Sequence, residues 1–158
     1  MNEKAHAQLM AHNNNIKEID DIYRNIAKIF GLSECAFWIL YTLRVEPEPL
    51  TQRQICELQY QPKQTVNSAL KKLEADGYIT LLHGRDQRSK QLCLTPSGAA
   101  LAEKSVDLVA EAEGRALLRL SEAELTHFIS LFRKFNTLLR EEIQTLEARQ
   151  ETKIAPQI

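Results

Sequence analysis

Apolar residues recur at threes and fours over residues 7–30, where Leu9, Ile16, Ile19, Ile22, Tyr23, Ile26, Ile29 and Phe30 mark one face of a helix. Asn13-Asn14-Asn15 is a poor helix interior, because short amide side chains compete for backbone hydrogen bonds, so the ordered helix is expected to begin after it. Gly31 ends this element, and Ser33 can cap a second helix whose Ala36-Phe37-Trp38-Ile39-Leu40-Tyr41-Thr42-Leu43 is apolar nearly all round. A helix of that kind is buried on several sides. Glu46-Pro47-Glu48-Pro49 then forces an extended connection. Thr51-Gln52-Arg53-Gln54 has the spacing of a reciprocal capping box and opens a short helix with Ile55 and Leu58 as its apolar face. Tyr60-Gln61-Pro62 breaks it, and Pro62 fits the first turn of the next helix. That helix carries Val66, Ala69, Leu70 and Leu73 on one face and stops at Gly77.

Beyond Gly77 the period changes. Tyr78-Ile79-Thr80-Leu81-Leu82 and the alternating Lys90-Gln91-Leu92-Cys93-Leu94-Thr95 read as two strands around a polar, basic tip, His83-Gly84-Arg85-Asp86-Gln87-Arg88-Ser89. Thr95-Pro96 marks another helix start, followed by a long segment with Leu101, Val106, Val109, Leu117 and Leu118 and with Gly114 as its weak point. Ser121-Glu122-Ala123-Glu124 is a second capping box, opening a final helix with Leu125, Phe128, Ile129, Phe132, Phe135, Leu139, Ile143 and Leu146 in its stripe. Residues 149–158 show no periodicity and are expected to be disordered. The stripes of the two terminal helices exceed what a small winged domain can cover, so a partner chain is the expected use of Ile16, Ile19 and Ile22 and of Phe128, Phe132, Phe135, Leu139 and Ile143.

Helix, turn, helix and basic hairpin in this order form a winged helix-turn-helix, in a chain that is otherwise mainly α with terminal helices forming a dimerisation region. At about 100° per residue, the polar face of the helix beginning at Pro62 gathers Gln64, Asn67, Ser68 and Lys71, flanked by Thr65 and Lys72. Amides can pair with adenine edges, hydroxyls with bases or phosphates, and lysines with guanine or phosphate. The tip can reach phosphates or the neighbouring minor groove, whose negative potential attracts Arg. The expected contacts to double-stranded DNA are therefore Thr51, Arg53, Lys63, Gln64, Thr65, Asn67, Ser68, Lys71, Lys72, Arg85, Asp86, Arg88 and Lys90.

The 158 residues carry a net charge of −1, which by itself would not mark a DNA binder. Its distribution is uneven, however: from Thr51 to Leu92 seven cations face four anions, leaving +3 there and −4 elsewhere. A basic patch on an acidic body suits docking on DNA in one orientation. No Gly-rich phosphate loop, nucleophile elbow or spaced His/carboxylate cluster is present, so an enzyme is not expected. Three widely spaced cysteines, Cys35, Cys56 and Cys93, argue against a disulfide framework, and His6, His12, His83 and His127 show no ligand spacing with them. No metal or cofactor is expected. With no apolar signal core at the N-terminus and no stretch of membrane-spanning length, the expected location is the cytoplasm.

The string Leu73-Glu74-Ala75-Asp76-Gly77-Tyr78-Ile79, the wing signature Asp86-Gln87-Arg88 and the exit Leu94-Thr95-Pro96-Ser97-Gly98 together resemble the MarR family of bacterial transcription regulators. The resemblance implies that Arg88 contacts DNA from the wing, that Asp86 helps hold the wing loop, and that Lys63, Gln64, Thr65, Asn67 and Ser68 fall where the family reads bases and phosphates. Pro62 departs from the family's frequent Ser cap. The resemblance also implies a homodimer in which the first and last helices intertwine across a two-fold axis, and a small, commonly aromatic effector bound between the dimer base and the winged domain. Tyr23, Phe37, Trp38 and Tyr41 are the lining residues expected here, against the plainer reading that they are core aromatics.

The chain thus divides into an N-terminal dimerisation helix (1–32), a winged helix-turn-helix (33–95), a linking helix with a C-terminal dimerisation helix (96–148) and a tail (149–158). A dimeric repressor of a pseudo-palindromic operator is the expected function. Two alternatives stand beside it. One is a winged-helix protein-interaction module, which should expose apolar residues where this chain has Gln64, Asn67, Ser68, Lys71, Arg85 and Arg88. The other is a redox-responsive regulator acting through Cys35, whose place in the first turn of a helix lowers a thiol's pKa while Glu34 opposes it.

Overall fold

The computed structural model describes residues 2–59, 61–83 and 90–154. It has seven helices among them: α1 (Glu3–Ile29), α2 (Glu34–Val45), α3 (Gln52–Leu58), α4 (Lys63–Ala75), α5 (Pro96–Glu103), α6 (Val106–Leu117) and α7 (Glu122–Ile154). Three short strands, β1 (Leu50–Thr51), β2 (Ile79–His83) and β3 (Lys90–Leu94), form an antiparallel sheet in the order β1-β3-β2. The chain divides into two compact units, Met1–Ala110 and Glu111–Ile158.

In the first unit, α2 is the hub. Phe37, Ile39 and Leu40 are fully buried and join Ala27 of α1, Ile55 of α3, Val66, Leu70 and Leu73 of α4, Leu92 of β3 and Ala102 of α5 in one core. Each large aliphatic side chain so buried contributes roughly 1.5–3 kcal/mol. β1 was not legible in the sequence, since two residues carry no period; Leu50 pairs with Leu92 and Thr51 with Gln91.

Helix ends follow the local chemistry. α1 closes on Gly31 at φ 69°, with Gly31 N–H donating to the Lys28 carbonyl and Leu32 N–H to the Ala27 carbonyl, the paired bonds of a Schellman motif. α4 closes the same way at Gly77 (φ 76°), with Gly77 N–H on Glu74 and Tyr78 N–H on Leu73. Ser33 accepts from Ala36 N–H at 3.2 Å, Thr51 and Gln54 complete their capping box, and Ser121 and Glu124 complete theirs.

Several expectations need correction. α1 runs straight through Asn13-Asn14-Asn15 from an Asn2 cap, because a helix penalty of a few tenths of a kcal/mol per Asn is small against cooperative propagation over 27 residues. Pro62 is the N-cap of α4 and not a member of its first turn, and it supplies no side-chain cap. Leu58 is exposed; the buried residue at the end of α3 is Gln59, whose Nε2 donates to the Trp38 carbonyl at 3.2 Å and to Thr42 Oγ1 at 3.0 Å. The segment after Thr95 is not weakened at Gly114, which lies inside α6. It breaks at Lys104-Ser105, where the buried Ser105 hydroxyl takes the Leu101 carbonyl at 2.6 Å and Ser105 N–H turns to Ala102 instead. In the second unit, α7 continues to Ile154, past the point where the apolar period ends, so residues 149–154 are helical and not disordered.

Two junctions tie the first unit together. Arg44 at the end of α2 grips Asp107 at the start of α6 with one edge of its guanidinium, Nε donating to Oδ1 at 2.9 Å and Nη2 to Oδ2. The second is at the base of the wing, where Thr95 Oγ1 and Ser97 Oγ both donate to the Gly77 carbonyl, at 2.6 and 2.8 Å, and Thr95 N–H donates to the Tyr78 carbonyl at 3.0 Å. A Cβ on Gly98 would stand 1.8 Å from the Tyr78 carbonyl oxygen.

Gly98→Ala therefore forces the α5 start away from the wing base and is expected to destabilise the protein by about 3 kcal/mol, at the upper end of overpacking costs, as read by urea denaturation. Asp107→Asn is expected to cost about 1 kcal/mol at neutral pH, a half-exposed bidentate pair being discounted for solvent screening. The hydrogen bonds from Arg44 hold the Asp107 carboxyl below its ordinary 3.8. Its contribution is thus complete above about pH 4 and lost as pH falls through the lower folded value, so the gap between wild type and Asp107→Asn in denaturation midpoint should close on going from pH 7 towards pH 3.

Candidate nucleic-acid interface

α4 separates its two faces cleanly. Val66, Ala69, Leu70 and Leu73 are buried, while Lys63, Gln64, Thr65, Ser68, Lys71 and Lys72 are exposed and Asn67 is half-buried. The alternation of threes and fours that fixes the inward stripe leaves the outward one to amides, hydroxyls and cations. Lys63 and Lys71 have no carboxylate partner among the described residues, whereas Lys72 Nζ lies 3.1 Å from Asp76 and Arg53 is paired with Glu57 at 2.7 Å. Exposed pairs of this type are weak enough to exchange for phosphate.

Not every expected contact is equally available. The Thr51 hydroxyl donates to Gln54 Oε1 at 2.8 Å and accepts from Gln54 N–H at 3.3 Å, so its one donor serves the α3 cap. Ser68 Oγ donates back to the Gln64 carbonyl at 2.9 Å. The Gln64 amide has no hydrogen-bond partner among the described residues and projects from the exposed face. An open groove of about 630 Å³ runs between α3 and α4, lined by Gln52, Arg53, Cys56, Glu57, Gln61, Lys63 and Asn67. Within it Gln52 Nε2 donates to Asn67 Oδ1 at 2.9 Å. Neither Gln52 nor Gln59 was singled out from sequence, because each owes its role to a partner 15 or 21 positions away across a helix crossing.

The wing is a hairpin of β2 and β3 in which His83 pairs with Lys90 at the last rung. Lys90 is exposed there, and the expected contacts Arg85, Asp86 and Arg88 lie outside the described residues. The sequence of this hairpin's exit now has a physical reading: Thr95 and Ser97 bond the carbonyl that ends α4, and Gly98 leaves room for the one that follows.

The residues expected to line an effector site pack on one another. Tyr23 and Trp38 have ring centroids 4.7 Å apart, Trp38 and Tyr41 5.5 Å, and Phe37 and Trp38 5.4 Å edge-on. Phe37 is fully buried and belongs to the core, which leaves Tyr23, Trp38 and Tyr41 as the half-buried members at the α1–α2 contact. Cys35 departs from the redox expectation. Burial pushes its thiol up, with Cys56 and Glu34 acting in the same direction, so desolvation outweighs the helix N-terminus and the reactive thiolate is disfavoured. The residues expected at a dimer interface are all solvent-facing: Ile16, Ile19 and Ile22 on α1, and Phe128, Phe132, Phe135, Leu139 and Ile143 on α7, with Phe128 and Phe132 stacked at 6.1 Å.

Known proteins match this arrangement. A family model described as the MarR family matches residues 30–89. An HTH-type transcriptional regulator of Bacillus subtilis (strain 168), YwoH, is 29% identical over 106 residues, 67% of this chain and 77% of its own length. The solved structure of NMB1585, a MarR family regulator from Neisseria meningitidis, is similar with a TM-score of 0.74 and 26% identity, covering 92% of this chain and 99% of that one. A mutant of S. aureus MepR bound to an oligodeoxyribonucleotide shares the fold at a TM-score of 0.50 and 22% identity, over 88% of this chain and 99% of that one. With its outward polar helix face, its wing and the bonded turn that joins them, the chain has the winged helix-turn-helix fold of these MarR family transcription regulators, and its residues 30–89 are similar to that family's model.

Proposed function

We propose that this regulator acts as a homodimeric repressor of a pseudo-palindromic operator, with α4 of each protomer in the major groove and the wing beside it. The observation that carries the reading is the face of α4, where Lys63, Gln64, Thr65, Ser68 and Lys71 are exposed together and without an apolar residue among them. A protein-docking module would need apolar anchors at that place. The DNA complex of MepR lends support by shared fold. Two reading helices related by a two-fold axis would meet half-sites roughly one helical turn apart, and occupancy there would block polymerase.

Dimerisation is inferred from the exposed apolar stripes. The exposures of Ile22 and Phe128 are 53% and 54%, and α7 repeats such residues through Leu146. Stripes of this length are rarely left to water. An effector that separates the two heads would release the operator, provided that it binds one head spacing better than another. The half-buried aromatic ledge of Tyr23, Trp38 and Tyr41 is the surface we assign to a small aromatic ligand, acting on a cytoplasmic protein.

The deciding experiment is a fluorescence-anisotropy titration against the DNA upstream of the protein's own gene, beside a scrambled duplex, at low and moderate salt. Preference for the native duplex that survives moderate salt is expected; equal and salt-sensitive binding to both would sink sequence-specific regulation. In the same assay Gln64→Ala should lose about 1–3 kcal/mol of discrimination at particular base pairs, whereas Arg88→Ala should weaken all duplexes and flatten the salt dependence. Phe132→Glu is expected to shift the protein from dimer to monomer in sedimentation analysis at micromolar concentration and to abolish operator binding with it. A dimer unaffected by this change and by Leu139→Glu would remove α7 from the interface.

A further inference from the structure

We propose that Gln52, a residue outside the reading helix, determines which kind of base edge Asn67 recognises. The inference deepens the DNA-reading assignment of α4 and rests on it. An Asn side chain ends in one acceptor and one two-proton donor, and reading adenine in bidentate fashion requires both. Here the acceptor is already taken. Gln52 Nε2, from the first turn of α3, donates to Asn67 Oδ1 at 2.9 Å, and Cys56 Sγ lies 3.6 Å from the same oxygen.

Two donors converging on one atom favour this orientation of the amide. Turned the other way, Asn67 would need the Gln52 amide to turn with it and would give up the donation from the Cys56 thiol. Asn67 is half-buried against α3, and Gln52 reaches it from the exposed start of that helix. The group left without an acceptor among the described residues is Nδ2. Asn67 is therefore a donor-only reader. It suits an acceptor edge in the major groove, best the paired O6 and N7 of guanine and then the O4 of thymine; adenine offers N7 alone beside its own amine, and the exocyclic amine of cytosine is mismatched. Gln52 touches no base in this scheme. It is a positioning residue.

The scheme predicts an inversion as well as a loss. Gln52→Glu keeps the shape and replaces the donor by a carboxylate that only accepts. The Asn67 amide then turns its N–H towards α3 and presents Oδ1 outward, so that the favoured edge becomes a donor, the amine of cytosine or adenine. Gln52→Ala leaves the amide unheld, and the preference flattens. A carboxylate in the first turn of a helix is well tolerated by the helix dipole, so the fold should survive the change.

The test is selection of bound sequences from a random duplex pool by the full-length protein, with wild type, Asn67→Ala, Gln52→Ala and Gln52→Glu in parallel and thermal melting as a check on folding. Wild type is expected to enrich guanine or thymine at one position of each half-site, and Asn67→Ala to lose that preference there alone. Gln52→Ala should flatten it by roughly three- to tenfold, the worth of one hydrogen bond, and Gln52→Glu should redirect it to cytosine or adenine. Because preference is a ratio between duplexes within one variant, the uniform repulsion added by the carboxylate cancels. Gln52 variants that keep the wild-type preference at the Asn67 position, or an Asn67→Ala protein that loses none, would overturn the inference while leaving DNA reading intact. A wild-type protein that enriches no sequence would overturn DNA reading itself, and this inference with it.

Discussion

The carbonyls of Gly77 and Tyr78 are where the reading helix, the wing and the helix that follows the wing are fixed to one another. Thr95 and Ser97 hold the first, Thr95 N–H holds the second, and Gly98 lies so close to the second that no side chain fits between. A recognition helix and a wing can contact one duplex together only if their relative position is set before binding, since a loose wing would add the entropy of ordering to every encounter. Hydrogen bonds from both sides of a turn that already closes a Schellman motif provide that rigidity at backbone level. The short motif at the wing exit is thus a joint, and its residue types follow from the geometry of the joint.

The same economy governs the polar side chains of the helix-turn-helix. Thr51 and Gln54 serve the start of α3, Gln59 serves the Trp38 carbonyl and Thr42, and Gln52 reaches Asn67. A surface with many amides and hydroxyls therefore offers fewer free donors to DNA than its composition suggests. Among the described residues Lys63, Gln64 and Lys71 remain uncommitted, and they are the residues on which the proposed base and phosphate contacts chiefly depend.

Gln59 connects the interface to the aromatic ledge. Its amide bonds the carbonyl of Trp38, the residue whose ring lies between Tyr23 and Tyr41, tilted against the first and edge-on to the second. A ligand that moved this ring would act on a helix bonded directly to the end of α3, so the proposed effector surface and the DNA face share a short, hydrogen-bonded path. Coupling along it requires two distinct arrangements of α2, each favoured by one ligand.

What the sequence determined by itself was whatever depends on neighbours in the chain. The caps at Ser33, Thr51, Thr95 and Ser121, the glycine stops at Gly31 and Gly77, and the buried stripe of Val66, Ala69, Leu70 and Leu73 are all local in origin. The polar face of α4 followed from the same periodicity. Tertiary structure decided the rest: the two-residue strand that pairs Leu50 with Leu92, the break of the α5–α6 segment at a buried Ser105, the inward turn of Gln59 in place of Leu58, the burial of Phe37 and the desolvation of Cys35. It also decided that the Asn67 amide oxygen faces α3. Periodicity states which side of a helix is apolar, but not which atoms of the next helix will stand opposite it. Hydrogen-bond partners and thiol desolvation are set by those atoms, and so appear only once the helices have crossed.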